Sequence, residues 1–255
     1  MKIGLCCGAQ DAAQARAAGC EYVELNFTTV ARQSEEEFAQ TAAALEAAGL
    51  GSEAMNCFIP GDFRLCKLSP ETYGDLELYL RQGMARARAL GAQYVVFGSA
   101  GARRLPAGVE KPEGWQKLVP IYRLAGELAA QYGLTIVIEP LNTREDNAIN
   151  TLREGLDYMG LVDRPGVRLL ADMYHMGENG EGYEAVLAAG DDLRHCHIAR
   201  PDGRVYPLPG DGYDYAPFFA ALREIGYAGR LSIEASNPGG PECLAQCVEY
   251  LRSLC

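Results

Sequence analysis

Imidazole is scarce in this chain of 255 residues: it has three histidines, and two of them fall within "LRHCHIA", residues 193–199. The stretch reads as a buried β-strand. Side chains alternate along a strand, so Leu193, His195 and His197 share one face while Arg194, Cys196 and Ile198 take the other. Two imidazoles turned the same way are either hydrogen-bonded core residues or candidates for metal ligation.

Three carboxylates favour ligation. Glu139 closes the apolar run in "LTIVIEP", Asp172 the run in "VRLLADM", and Glu234 the run in "RLSIEA". Val137 shares the face of Glu139, with Ile136 and Ile138 on the other; Leu169 and Ala171 lie opposite Asp172, and Leu231 and Ile233 opposite Glu234. A charge turned into a protein interior is costly unless it is paired or coordinates a cation. Glu139, Asp172, Glu234 and His197, brought together, would repel one another without one. Three oxygen donors and one nitrogen suit a single divalent ion, Mn²⁺ first, with Mg²⁺, Co²⁺ or Zn²⁺ as alternatives, and leave coordination positions open for substrate oxygens.

The elements that must position these residues recur along the whole chain. Eight short apolar strands are expected, in "KIGLCC", "YVELNF", "GSEAMNCF", "QYVVFGS", "LTIVIEP", "VRLLADM", "LRHCHIA" and "RLSIEA". Amphipathic helical segments separate them. In "SEEEFAQTAAALEAAG", Ser34 and Glu37 form a capping box and Phe38, Ala42 and Leu45 line one face. "SPETYGDLELYLRQGMARARALG" opens with the cap pair Ser69 and Pro70 and closes at Gly91. The last helix stripes Leu244, Cys247, Val248 and Leu251. Eight β and α units in a chain of this length predict an α/β protein with a single closed (β/α)8 TIM barrel, one domain over residues 1–255. An open doubly wound sheet would want a glycine-rich phosphate loop, and neither GxGxxG nor GxxxxGK[ST] occurs. In such a barrel the chemistry sits at the C-terminal strand ends, where the four residues stand.

Composition narrows the partners. The net charge is −11, from 34 acidic against 23 basic residues, which argues against a nucleic-acid backbone as ligand. The cysteines number nine, without a CxxC pair, and predict reduced thiols rather than a disulfide framework. With no basic leader and no apolar window of about 18 residues, a cytoplasmic protein without a membrane partner is expected.

The stretches "VFGSAGARRLP", "IEPLNTREDN", "LLADMYHM", "HCHIARPDGR" and "GDGYDYAPFFAALREIGYAGRLSIEAS" resemble the sugar isomerase and epimerase barrels of the xylose-isomerase-like superfamily, especially its ketose 3-epimerase and hydroxypyruvate isomerase branches. The resemblance spans nearly the whole chain. It implies one divalent ion held by Glu139, Asp172, His197 and Glu234, the second histidine of the His-x-His pair being the ligand and His195 a support beneath it. It further implies substrate contacts from Glu145, six residues after the first ligand, and His175, three after the aspartate. Arg204 falls near the family's substrate arginine, one residue further from His197 than in the ketose 3-epimerases. Where those enzymes follow His-x-His with a Gly-Glu pair, this chain has Ala199 and Arg200. Arg103, Arg104, Arg200 and Arg204 together would suit an anionic substrate, or are solvated loop residues.

A hydrogen on carbon beside a carbonyl is too weakly acidic for a carboxylate to remove unaided. A metal chelated by the carbonyl and its neighbouring hydroxyl would stabilise the enediolate, with Glu139 and Glu234 as base and acid on its two faces. Return of the proton to the opposite face gives an epimer, most simply at C3 of a ketose; return to the adjacent carbon gives an aldose-ketose or hydroxypyruvate isomerase. An inosose dehydratase-like lyase shares the first step. An abasic-site endonuclease would need more imidazole than the chain holds, and a non-catalytic sugar-binding barrel stays open. The expected partner is a small sugar or sugar derivative, and a homo-oligomer is compatible with the sequence.

Overall fold

The computed structural model describes residues 1–240 and 242–255. Eight strands form: β1 (Lys2–Cys6), β2 (Tyr22–Asn26), β3 (Ser52–Asn56), β4 (Tyr94–Phe97), β5 (Thr135–Ile138), β6 (Val167–Asp172), β7 (Leu193–Ile198) and β8 (Arg230–Ile233). Each pairs in parallel with the next, and β8 closes on β1. All eight expected strands are present, and the fold is the (β/α)8 barrel.

The helices are α1 (Ala12–Ala17), α2 (Phe27–Arg32), α3 (Glu35–Ala48), α4 (Pro70–Ala89), α5 (Ala100–Arg103), α6 (Lys111–Gln131), α7 (Leu152–Val162), α8 (Met173–Asn179), α9 (Glu184–Ala189), α10 (Ala216–Glu224) and α11 (Cys243–Leu254). The expected capping box of α3 forms, Ser34 accepting from the Glu37 N–H while the Glu37 side chain accepts from Ser34 N–H, and Gly49 ends the helix in the left-handed region at φ 64°. Ser69 caps α4, with Pro70 in its first turn. The stripe on α11 buries Leu244, Cys247, Val248 and Leu251. Helices α2, α5 and α8 follow β2, β4 and β6 at the barrel mouth, and each is too short for a periodic apolar pattern to announce it.

The barrel interior is divided. On the β4–β5–β6 side it is apolar, with Val96, Val137 and Leu170 in one small cluster against Tyr94. On the β1, β2, β7 and β8 side it is polar: Tyr22, Glu24, His195 and Ser232 are all buried. Gly4 permits this, because a Cβ there would come within 2.3 Å of the Tyr22 ring. The expected strand parity holds at the ends that matter. At the base of β7 it does not: Leu169 pairs with Leu193 but Leu170 with His195, so Arg194 is an extra residue. This bulge puts Leu193 in the outer core with the helices, not on the face of His195.

Candidate active site

Strand alternation delivers four donors to one point. One ligand atom from each of Glu139, Asp172, His197 and Glu234 lies within 4.8 Å of all the others. Nδ1 of His197 is 3.2 Å from Glu139 Oε1 and 3.2 Å from Glu234 Oε2. Its other nitrogen, Nε2, meets Glu24 Oε1 at 3.0 Å. Glu24 Oε2 in turn takes His195 Nε2 at 2.7 Å and the Ser232 hydroxyl at 2.5 Å. One buried carboxylate on β2 therefore aims both imidazoles, and it leaves Nδ1 of His197 facing the cluster. A carboxylate behind a histidine in this way orients the ring and raises its basicity toward a metal.

Glu139 is seated over Gly98, where a Cβ would stand 2.1 Å from Glu139 Oε2. Glycine after β4 is thus needed for the carboxylate to reach the cluster. Glu234 accepts from Asn56 Nδ2 at 2.9 Å and from Arg204 Nη2 at 2.5 Å. Asp172 caps α8 through Oδ1, which accepts from the Tyr174 N–H at 2.9 Å. Its other oxygen, Oδ2, is buried and has no hydrogen-bond donor. His175 accepts at Nδ1 from the Asn142 backbone N–H at 3.2 Å, and its Nε2 lies 3.4 Å from Asp172 Oδ2.

The charges are unequal in their surroundings. Burial, with the Glu234 charge adding and His197 opposing, holds the Glu139 carboxyl above its ordinary range. Burial acts on Glu234 too, but His197 and Arg204 outweigh it and bring that carboxyl down to about 2. Burial also raises Asp172. His197 is raised well above the usual imidazole range, the charges of Glu24 and Glu234 overcoming its desolvation. His195, where desolvation wins, is lowered.

A divalent cation fits this set. Three carboxylates and one imidazole nitrogen converge, and Asp172 Oδ2, with His175 Nε2 at 3.4 Å and Arg204 Nη2 at 3.7 Å beside it, receives no hydrogen bond. Above them opens a cavity of about 310 Å³ whose lining includes Glu139, Glu145, His175, Arg204 and Glu234. All three expected substrate contacts therefore reach it. Arg204 takes a left-handed backbone, φ 47°, lies 4.3 Å over the Tyr174 ring and stands 3.8 Å from Glu145 Oε1.

The four-arginine anion site does not form. Arg103 is fully buried, with Nε on Asp146 Oδ2 at 2.7 Å and its remaining N–H groups on Tyr122 and on the carbonyls of Phe97, Glu139 and Ile149. Arg104 holds the Glu145 carbonyl, and Arg200 pairs with Asp202. Only Arg204 of the four lines the cavity. Two site residues escaped the sequence reading, Glu24 and Asn56. Both have inward parity, on β2 and β3, so the rule used on β5 to β8 would have found them.

The sequence profile of the xylose isomerase-like TIM barrel matches residues 12–254. L-ribulose 3-epimerase of Methylomonas sp. is 38% identical over 134 residues, 52% of this chain and 46% of the relative. The matches to the first curated relatives span under half of those proteins' lengths. A D-psicose 3-epimerase crystallised in the presence of D-fructose superposes with a TM-score of 0.85 at 17% identity, covering 100% of this chain and 99% of that one. The 3-keto-D-glucoside 4-epimerase of E. coli superposes at 0.84 with 22% identity, covering 99% of each chain. At these identities the superpositions speak for the fold. No helix among the described residues is long and apolar enough to cross a membrane.

Proposed function

The chain belongs to the xylose isomerase-like TIM barrel family, and from that premise we propose that it is a divalent-metal-dependent epimerase inverting C3 of a ketose. The observation that carries the reading is the convergence of Glu139, Asp172, His197 and Glu234, with Asp172 Oδ2 left without a hydrogen-bond donor. These four would hold the ion, Mn²⁺ by first preference. Bound there, it supplies the Lewis acidity that makes a hydrogen beside a carbonyl removable and steadies the negative charge that follows. Likeness to relatives named L-ribulose and D-psicose 3-epimerase supports the same reaction.

The remaining work belongs to the protein. Glu139 and Glu234 flank His197, and both line the cavity. One carboxylate takes the C3 proton and the other delivers a proton to the opposite face. Asn56 and Arg204 hold Glu234 in place, and Gly98 gives Glu139 its seat. Glu145, His175 and Arg204 bind substrate hydroxyls at the rim. We propose a cytoplasmic location, with residues 1–255 as a single barrel domain.

Incubation with a panel of ketoses in D₂O, followed by NMR, tests this. Deuterium at C3 with formation of the epimer is expected. Deuterium at C1 or C2 would make the protein an aldose-ketose isomerase, loss of water would make it a lyase, and no exchange with any ketose would remove the epimerase reading.

A further inference from the structure

The catalytic cavity has a neighbour on the β1–β2 side. A second cavity of about 290 Å³ adjoins it, lying between the loop after β1 and helix α2. The two share Asn56, whose amide also holds Glu234. Beyond the second cavity a shallower trough continues along α2 onto α3, and it meets the catalytic cavity again at Thr28. The second cavity is nearly as large as the first, so there is room for another unit the size of the reacting sugar.

Its chemistry is narrow. Gln10, Asn26, Thr29, Gln33 and Thr41 line it with amides and hydroxyls, and no lysine or arginine does. Gln33 donates through Nε2 to Thr41 Oγ1 at 2.8 Å, while its Oε1 is left without a donor. In the catalytic cavity the one guanidinium, Arg204, faces Glu234, Asp172 and Glu145. A phosphate would meet carboxylates in one cavity and no cation in the other. A neutral group rich in hydroxyls would find donors and acceptors along the wall.

We propose that the ketose carries a second sugar, bound in the cavity between the β1–α1 loop and α2, and that the enzyme prefers such a glycosylated ketose to the free or phosphorylated sugar. This rests on the epimerase reading and specifies its substrate class. The reaction is unchanged: one proton leaves C3 and one returns, with no bond to the second sugar made or broken.

Three probes with the same reacting end separate the cases: fructose, 6-O-glucosylfructose and fructose 6-phosphate, compared by C3 deuterium uptake in D₂O. The expected kcat/KM for the glucosyl derivative exceeds that for fructose by at least about tenfold, since even one methylene in a fitted pocket is worth roughly 10–200-fold. Fructose 6-phosphate is expected last. Thr29→Trp fills the second cavity from α2 and Gln10→Trp fills it from the β1 loop, both at exposed positions. Each, once shown to be folded by circular dichroism, should lower the glucosylfructose-to-fructose ratio of kcat/KM at least about tenfold. Equal or better use of fructose, preference for the phosphate, or a ratio unmoved by both substitutions overturns the proposal while leaving the epimerase reading intact. Silence with all three probes overturns it as well, and the epimerase reading falls with it only if the wider ketose panel is also silent.

Discussion

Two buried groups of charge meet at Glu139 and are built on opposite terms. Arg103 and Asp146 are fully buried and matched one to one, and the guanidinium ties down the ends of β4 and β5 through the carbonyls of Phe97 and Glu139. The carboxylate of that same Glu139 belongs to the other group, where three acids surround one imidazole and one acid oxygen has no donor. The first group is balanced in charge as folded, although Asp146 Oδ1 lacks a donor just as Asp172 Oδ2 does; the second holds more acid than base, an excess that a cation would offset. Burial alone does not separate a structural charge from a functional one, and the balance of charge within the group does. The balanced group also supports the unbalanced one, since Arg103 holds the backbone from which the Glu139 carboxylate reaches inward.

The contrast breaks most visibly in the carboxylates proposed to move protons. Glu139→Gln and Glu234→Gln should each lower C3 deuterium exchange by about 10²–10⁴-fold, the span a positioned acid or base contributes. Single-turnover NMR would read this, and a loss below about 10²-fold in both would remove the two-glutamate mechanism. The balanced group should respond in stability instead. Arg103→Met leaves Asp146 buried without its cation, and denaturant unfolding should show a loss of about 3–5 kcal/mol. A change under about 1 kcal/mol would mean that the pair is replaceable and the contrast false.

Metal should act on one group only. Mn²⁺ at about a hundred times its Kd should stabilise the wild type by about 2.7 kcal/mol, reversed by chelator. Asp172→Asn keeps a side-chain oxygen for the cap of α8 but gives up the ligand, so it should lose most of this gain. Its metal-free form should be at least as stable as the metal-free wild type, because burial, outweighing the charges of His175, His197 and Arg204, makes the Asp172 carboxylate unfavourable as folded. Metal-free Asp172→Asn melting well below wild type would show that the cluster is balanced without a cation. A smaller effect is expected one step behind the ligands. Glu24→Gln keeps the shape but loses the charge behind His197, and isothermal titration should show metal affinity falling about 10–100-fold.

The smallest effect concerns a lone acid. Burial, with Glu154 and Glu184 adding, pushes the Glu181 carboxyl up to about 7, although it accepts from the Leu152 N–H at 2.9 Å. Because the folded state holds this proton more tightly than the unfolded chain does, its contribution is present below the ordinary glutamate range and is lost as pH rises through about 7. Thermal melts of Glu181→Gln between these limits should fall less with rising pH than those of the wild type. Identical slopes would rule Glu181 out as a source of the pH dependence.

Much of the site could be read from the chain because strand parity is local. Glu139, Asp172, His197 and Glu234 each follow an apolar run of period two, and a closed barrel turns all such positions inward. Glu24 and Asn56 obey the same rule and were passed over because no metal-like cluster of types marks β2 or β3. Leu193 defeats the rule, since the bulge at Arg194 inserts a residue and flips what precedes it. Arg103, read as either an anion contact or a solvated loop residue, is neither, and for another reason: its partner Asp146 stands 43 positions away, and nothing near "GARRLP" says that the arginine is buried.

The sequence by itself determined the barrel, its eight strands and the three acids and one imidazole that point to one spot, because alternation and apolar runs are properties of neighbouring residues. The tertiary structure alone decided which charges are matched. Glu24 reaches His197 across 173 positions, Arg103 is neutralised while Arg204 is left at the cavity, and one oxygen of Asp172 stays without a donor. Charge balance is a sum over groups brought within a few ångströms by folding and stripped of water together, and no local pattern carries that sum.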